Sequence, residues 1–353
     1  MKPICFYHKS DLDGVCSAAI VKHFVPDREL YGIEYGDEFP WDRVVGMLGE
    51  RQPDGPATEE HGPSMRWKAK RTVYMVDFSL PPEDMKRLAE VSDLIWIDHH
   101  KTAIDLYMAD VGDTRESLLR TDFAACELAW AWFTAERGAN YEKYTLKGGS
   151  TPEVVRLLGA YDSWRKDDPE WDRALAFQYG MRSLAGIYDP ECSKWGDLLE
   201  ATWESDYIEL PWLQSITADG AGLLRYQAEV NRKACEAGAH EVPIVVDRWF
   251  DVATGEPKEF DLFAPLGSRR GERMTVRALA CNTVVFNSQF FEGFFDPEKH
   301  DVMCAYMQMA DGRWKVSLYS TKPDIDCGAI CKAFGGGGHK GAAGFVCEKL
   351  PWD

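Results

Sequence analysis

Three apolar runs in this chain end abruptly in histidine or aspartate, and that coincidence limits the folds open to it. Ile4-Cys5-Phe6-Tyr7-His8 runs into Lys9-Ser10-Asp11-Leu12-Asp13-Gly14, Thr72 to Val76 stops at Asp77, and Leu94 to Ile97 stops at Asp98-His99-His100. Short apolar runs of this kind read as buried strands, and open α/β sheets gather their chemistry at the carboxyl ends of such strands. Laid side by side in one parallel sheet, the three ends would bring His8, Asp11, Asp13, Asp77, Asp98, His99 and His100 into one small volume. So many carboxylates raise one another's pKa or demand a counter-ion. Carboxylate and imidazole without thiolate suit Mn²⁺, Mg²⁺, Fe²⁺ or Zn²⁺, and the number of donors suggests two ions sharing a bridging carboxylate. Taken singly, each piece is ordinary: an Asp-His-His string in a surface turn, an aspartate as a helix N-cap. The joint pattern is what constrains.

The intervening segments read as helices and further strands. Gly14 opens a helix through Val15, Ala18, Val21 and Phe24; Leu30 to Tyr35 reads as a strand and Trp41 to Leu48 as a helix. Residues 51–70, with three prolines and two glycines, read as a surface insertion. Pro81-Pro82 starts a helix to about Glu90, so strand, helix and strand follow one another as in a βαβ unit. Phe123 to Arg137 and Thr151 to Asp162 are helices, the second carrying Asp162 at its end, where Arg165 is a candidate salt-bridge partner. A longer helical segment covers Ala218 to Ala239. Beyond Val242 strands dominate, with Asp311-Gly312 as a hairpin signal between two of them. The expected fold class is α/β: a parallel-sheet domain over 1–175, a helical connector over 176–240, and a smaller α/β domain with a mixed sheet over 241–353.

Gly335-Gly336-Gly337-Gly338 removes every Cβ that would keep an anion from the backbone and permits the positive φ values that aim successive N–H groups inward. His339 and Lys340 follow at once and add donors, and Ala342-Ala343-Gly344 keeps the next side chains small. No Gly-Lys-Ser/Thr ends the run, so it is not a nucleotide-binding P-loop.

These motifs, in this order and together with Gly159-Ala160-Tyr161-Asp162, resemble those of the DHH phosphoesterases, whose naming triplet is Asp98-His99-His100 here. The resemblance implies that His8, Asp11 and Asp77 hold one divalent ion and Asp13, Asp77, His99 and Asp162 a second, with Asp77 bridging. It implies that Asp98 orients a histidine, that His100 meets the phosphate, and that Gly335, Gly336, Gly337, Gly338, His339 and Lys340 belong to a C-terminal DHH-associated domain that grips the substrate, His339 adding a donor to the phosphate. The expected cofactors are two divalent ions, Mn²⁺ foremost and Mg²⁺ next. Within the family the chain is most similar to the short nanoRNase members, which turn short oligonucleotides into 5′-mononucleotides. Relatives cleave cyclic dinucleotides, 3′-phosphoadenosine 5′-phosphate, pyrophosphate, polyphosphate or longer single-stranded DNA, and a nucleotide sensor without catalysis is the alternative of another class.

Composition narrows the partners. Across 353 residues, 40 basic against 58 acidic side chains leave a net charge of −18, which disfavours a protein that holds long duplex nucleic acid by neutralising many phosphates. Short oligonucleotides or small nucleotides remain open, since cations can reverse the potential inside one cleft. No apolar run reaches the roughly 18 residues of a membrane span, and the ten cysteines fall mostly in apolar segments as reduced core thiols. A cytoplasmic monomer or homodimer, without membrane partners, is the expectation.

Overall fold

The computed structural model describes residues 2–45, 52–53, 65–66, 70–110, 117–134, 151–200, 211–251, 257–258, 269–338 and 340–352. Most of the insertion expected over 51–70 therefore lies outside the described residues, as do residues 46–48 of the helix expected from Trp41. In chain order the first part contains β1 (Ile4–His8), α1 (Leu12–Phe24), β2 (Glu29–Ile33), α2 (Trp41–Val45), the short antiparallel pair β3 (Gln52–Pro53) and β4 (Met65–Arg66), β5 (Arg71–Val76), α3 (Pro82–Val91), β6 (Ser92–Asp98), α4 (Lys101–Asp110), β7 (Ser117–Leu119), α5 (Ala125–Thr134), α6 (Glu153–Asp162), α7 (Trp171–Arg182), α8 (Lys194–Glu200) and α9 (Pro211–Gly238). The second part contains β8 (His240–Asp251), β9 (Pro257–Lys258), β10 (Arg269–Asn282), β11 (Val302–Gln308), β12 (Trp314–Tyr319), α10 (Cys327–Lys332), β13 (Gly337–Gly338) and β14 (Ala342–Cys347). The chain forms two compact units, Met1–Leu224 and Arg225–Asp353.

In the first unit five strands form a wholly parallel sheet in the order β2-β1-β5-β6-β7. The three runs that end in His or Asp are thus neighbours: Tyr7 pairs with Val76, and Val76 with Ile97. A parallel sheet is covered on both faces, so its strands are apolar throughout and divide their side chains between two cores. Cys5, Tyr7, Tyr74, Val76, Ile95 and Ile97 pack against α1, α5 and α6. Ile4, Phe6, Val73, Met75 and Trp96 point the other way, with Met85 and Leu88 of α3 and Tyr107 of α4. The segment expected to be a connector does more than connect, because Phe177, Met181, Trp195, Leu198, Leu213 and Ile216 belong to the first of these cores.

Two non-glycine residues adopt left-handed backbone, Asp77 at φ +53° and Trp164 at φ +52°. Each costs about 1–2 kcal/mol relative to an ordinary conformation. Gly14 answers to a steric demand instead: a Cβ there would stand 2.1 Å from the carbonyl oxygen of His8, so α1 can start against the end of β1 only through glycine.

The second unit is a seven-stranded mixed sheet in the order β13-β14-β12-β11-β10-β8-β9, parallel only between β10 and β11. Gly312 takes φ +89° in the hairpin between β11 and β12. Asp301, just before β11, ties the sheet together: it accepts from the backbone N–H and the guanidinium of Arg277 and, at 2.8 Å, from Lys322 Nζ. The Arg277 bonds outweigh burial and, with Lys322, hold its carboxyl well below the usual range. A carboxyl depressed by folding stabilises the fold above its ordinary value near pH 4 and loses that contribution as pH falls further. Asp301→Asn should therefore cost about 1–2 kcal/mol at neutral pH, as expected for charge-assisted bonds, and much less at the acid end of a denaturant series. Equal destabilisation at both ends would exclude this role.

Candidate metal centre

The carboxyl ends of β1, β5 and β6 carry the motif residues, and the parallel register sets them level. Beyond β1, Asp11 caps α1 through Oδ1, which accepts from Gly14 N at 2.9 Å, while Oδ2 stands 2.8 Å from His8 Nδ1. Capping and site duty are thus divided between the two oxygens of one carboxylate. Asp13, in the first turn of α1, has both oxygens engaged by the first amides of α5, Ala125 N and Cys126 N, each at 2.8 Å. A helix N-terminus offers unpaired N–H groups and a partial positive charge, so it can hold a buried carboxylate. Asp13 Oδ2 also lies 3.6 Å from His99 Nε2.

Asp77 sits between the two histidine groups. Its Oδ2 is 3.8 Å from His8 Nδ1, and its Oδ1 is 3.4 Å from His99 Nε2 and 3.8 Å from His100 Nδ1. Its left-handed backbone, with N donating to Ile97 O at 3.0 Å, turns the chain sharply at the strand end. Both of its carboxylate oxygens are buried and neither meets a hydrogen-bond donor among the described residues. Asp162, at the end of α6, comes within 3.1 Å of His99 Nε2. Ligand atoms of three groups lie within 4.8 Å of one another: His8, Asp11 and Asp77; Asp13, His99 and Asp162; and Asp77, His99 and His100.

The electrostatics follow from this crowding. Burial, then the charges of Asp13 and Asp11, push the Asp77 carboxyl well above its ordinary value, and burial with Asp13 does the same to Asp162. Burial opposes a charged His8, but the carboxylates of Asp11 and Asp77 overcome it and push the imidazole up to about 10. His99 moves the same way, burial being outweighed by Asp13 and Asp162. Protons are thus drawn to a cluster whose donors are those of a hard divalent cation, oxygen and imidazole. Two orphaned oxygens on one buried carboxylate fit a bridging ligand.

Asp98 is fully buried and organises the triplet that follows it. Its Oδ1 accepts from His99 N at 2.7 Å and His100 N at 3.1 Å, and lies 2.7 Å from His100 Nδ1. With Nδ1–H donated to Asp98, Nε2 of the half-buried His100 is the nitrogen available to a substrate.

The sequence did not single out Glu127. It is fully buried on α5, accepts from Ala124 N at 2.9 Å, and holds Arg165 through two bonds of 2.8 and 2.6 Å. Arg165 is therefore paired with Glu127 and not with Asp162, its sequence neighbour. Gly159 makes room for this, since a Cβ there would stand 2.3 Å from the Glu127 carboxyl carbon. An acidic residue in the first turn of an apolar, aromatic helix, with an arginine beyond the next helix, was the available signal.

The glycine run lies in the second unit. Gly337 and Gly338 pair antiparallel with Gly344 and Ala343 of β14. A Cβ on Gly336 would stand 2.2 Å from Gly344 O, and one on Gly338 2.6 Å from Ala343 Cα, so packing against β14 already requires those two. Gly335 and Gly338 take positive φ, +77° and +137°. Gly337 has open space around its missing Cβ and no left-handed backbone, so the chain itself gives no reason for glycine there. Lys340 is exposed; His339 lies outside the described residues.

No family model matches the sequence, and no curated protein matches it. Solved structures do. Over 98% of this chain and 93% of the other, the pGpG-specific phosphodiesterase PggH from Vibrio cholerae aligns with 10% identity and a TM-score of 0.42. RecJ from Thermus thermophilus, solved with Mg²⁺, aligns over 98% of this chain and 47% of its own with 12% identity and a TM-score of 0.36. The DHH domain of a member of a ribosomal protein family reaches a TM-score of 0.51 with 13% identity, over 98% of this chain and 82% of that one. That last likeness shows the fold, α/β with the architecture of a DHH domain.

Proposed function

We propose that the chain is a divalent-metal-dependent phosphoesterase that hydrolyses short oligonucleotides to 5′-mononucleotides. The observation that carries this reading is Asp77: a buried carboxylate with two unpartnered oxygens, shared between a His8–Asp11 side and a His99 side. His8, Asp11 and Asp77 would hold one ion and Asp13, Asp77, His99 and Asp162 the other, Mn²⁺ or Mg²⁺ by the hardness of the donors. Such a pair supplies charge neutralisation at the phosphoryl oxygens and an activated water. The chain's own part is to place the donors and the phosphate. Asp98 fixes the tautomer of His100, which offers Nε2 to a phosphoryl oxygen, and the amides of α5 keep Asp13 in place. Gly337, open where packing demands nothing, supports anion contact by the segment that includes Gly335, Gly336, Gly338, His339 and Lys340.

A net charge of −18 favours short substrates over long polyanions. The test is a comparison of initial rates on RNAs of two to twenty-four nucleotides, cyclic dinucleotides, 3′-phosphoadenosine 5′-phosphate and pyrophosphate, with Mn²⁺ and with excess EDTA. Di- to pentanucleotides should be turned over fastest and EDTA should abolish turnover. Faster hydrolysis of pyrophosphate than of any nucleotide would overturn the nuclease reading, and full activity in EDTA would overturn the metal reading.

A further inference from the structure

Asp162 is followed by a turn that a glycine would make more easily. With Ser163 as the C-cap of α6, Trp164 N donates to Tyr161 O at 3.1 Å and Arg165 N to Ala160 O at 3.0 Å, the two bonds of a Schellman ending. The left-handed residue of that motif is ordinarily glycine, and here it is Trp164 at φ +52°. Its ring does not repay the strain by burial, being 42% exposed. Strained backbone that persists in this way is concentrated at functional sites.

The surroundings suggest what the ring is for. Trp164 meets Trp171 edge-on at 5.1 Å and Tyr161 at 5.7 Å, so its orientation is fixed by two other aromatic rings. Lys166 Nζ lies 4.8 Å from the centre of the Trp164 ring, and the Arg182 guanidinium lies 5.4 Å from that of Tyr161. Among the described residues neither Lys166 nor Arg182 is paired with a carboxylate, in a chain with a large excess of them. Oriented aromatic faces interleaved with cations that no carboxylate neutralises are the composition of a surface that stacks a base and attracts a phosphate. This one begins two residues after Asp162, whose carboxylate is 3.1 Å from His99.

We propose that Trp164, held by Tyr161 and Trp171 and flanked by Lys166 and Arg182, is a stacking platform for the base of a nucleotide whose phosphate lies at the His99–Asp162 side of the cluster. The choice of a nucleotide rests on the phosphoesterase reading, but the test does not depend on turnover. Binding of 5′-AMP and of ribose 5-phosphate to the full chain is measured by calorimetry in Mg²⁺ buffer, for the wild type, Trp164→Gly and Trp164→Asn. Glycine and asparagine both accept the left-handed turn, so both variants should melt no lower than the wild type. The wild type should bind 5′-AMP at least about tenfold more tightly than ribose 5-phosphate, the lower end of what base stacking on an aromatic ring provides. Both variants should lose that preference. No preference in the wild type, or its retention in either folded variant, overturns the platform. A platform that binds 5′-AMP in a chain that hydrolyses nothing would leave this assignment standing and remove the phosphoesterase one.

Discussion

Asp77→Asn should lower kcat by at least about a thousandfold, equivalent to about 4 kcal/mol of transition-state stabilisation, while leaving the fold intact. Asparagine tolerates the left-handed backbone of Asp77 and nearly matches its volume, so the change removes charge and little else. Two ions would lose the carboxylate they share, and metal content after reloading should fall with the rate. Stability should move the other way in the metal-free protein. Burial and the charges of Asp13 and Asp11 raise the Asp77 carboxyl, so the folded chain binds this proton more tightly than the unfolded chain does. The metal-free wild type must then lose stability as pH rises above the ordinary carboxylate value of about 4. Thermal melts in EDTA should show that loss, and Asp77→Asn should flatten it and melt higher at neutral pH. Turnover and metal content close to the wild type would remove Asp77 from the proposed centre.

Glu127→Ala should destabilise the first unit by about 3–5 kcal/mol, the usual cost of leaving one member of a buried ion pair behind. The variant strips Arg165 of both its bonds to Glu127 and leaves Ala124 N without its acceptor at the start of α5. That helix start also supplies the two amides that hold Asp13, so activity should fall even at temperatures where the variant is folded. Replacing both partners, as Glu127→Leu with Arg165→Met, should recover a large part of the stability, because no unpaired charge then remains. Denaturant midpoints of the single and double variants decide the matter. A single variant within about 1 kcal/mol of the wild type would mean that water already compensates this pair.

The sheet was legible because its signal is local. Each strand is an apolar run with a polar stop, and the three stops predicted neighbours that the structure places side by side. Asp162 was found only by resemblance, since its own surroundings offered Arg165 as a simpler partner; the structure gives Arg165 to Glu127, a pairing that depends on how α5 and α6 pack. The part played by residues 176–216 was hidden for a similar reason. Their apolar residues show no clean periodicity, because α7, with Ala174, Phe177 and Met181 inside, fits a core whose shape is set by distant segments. The glycine run was read as an anion cradle, yet at Gly336 and Gly338 the nearest demand is the neighbouring strand β14. Close approach of backbone to backbone and of backbone to ligand leave the same trace in a sequence.

The placement of Asp77 has a consequence for what the chain can tolerate. Tyr7, Val76 and Ile97 stand in one row across β1, β5 and β6, and the motif residues start directly beyond that row. Their relative position is therefore stored in backbone pairing, which does not depend on which apolar side chain occupies a strand position. Substitutions among apolar residues in the strands, and changes of length in the segments between them, leave this alignment untouched. A single residue gained or lost inside β5 would instead carry every later side chain of that strand to the opposite face and take Asp77 out of line with both flanking strands. The strands of this chain thus work as a ruler: their spelling is free to drift, but their length is not.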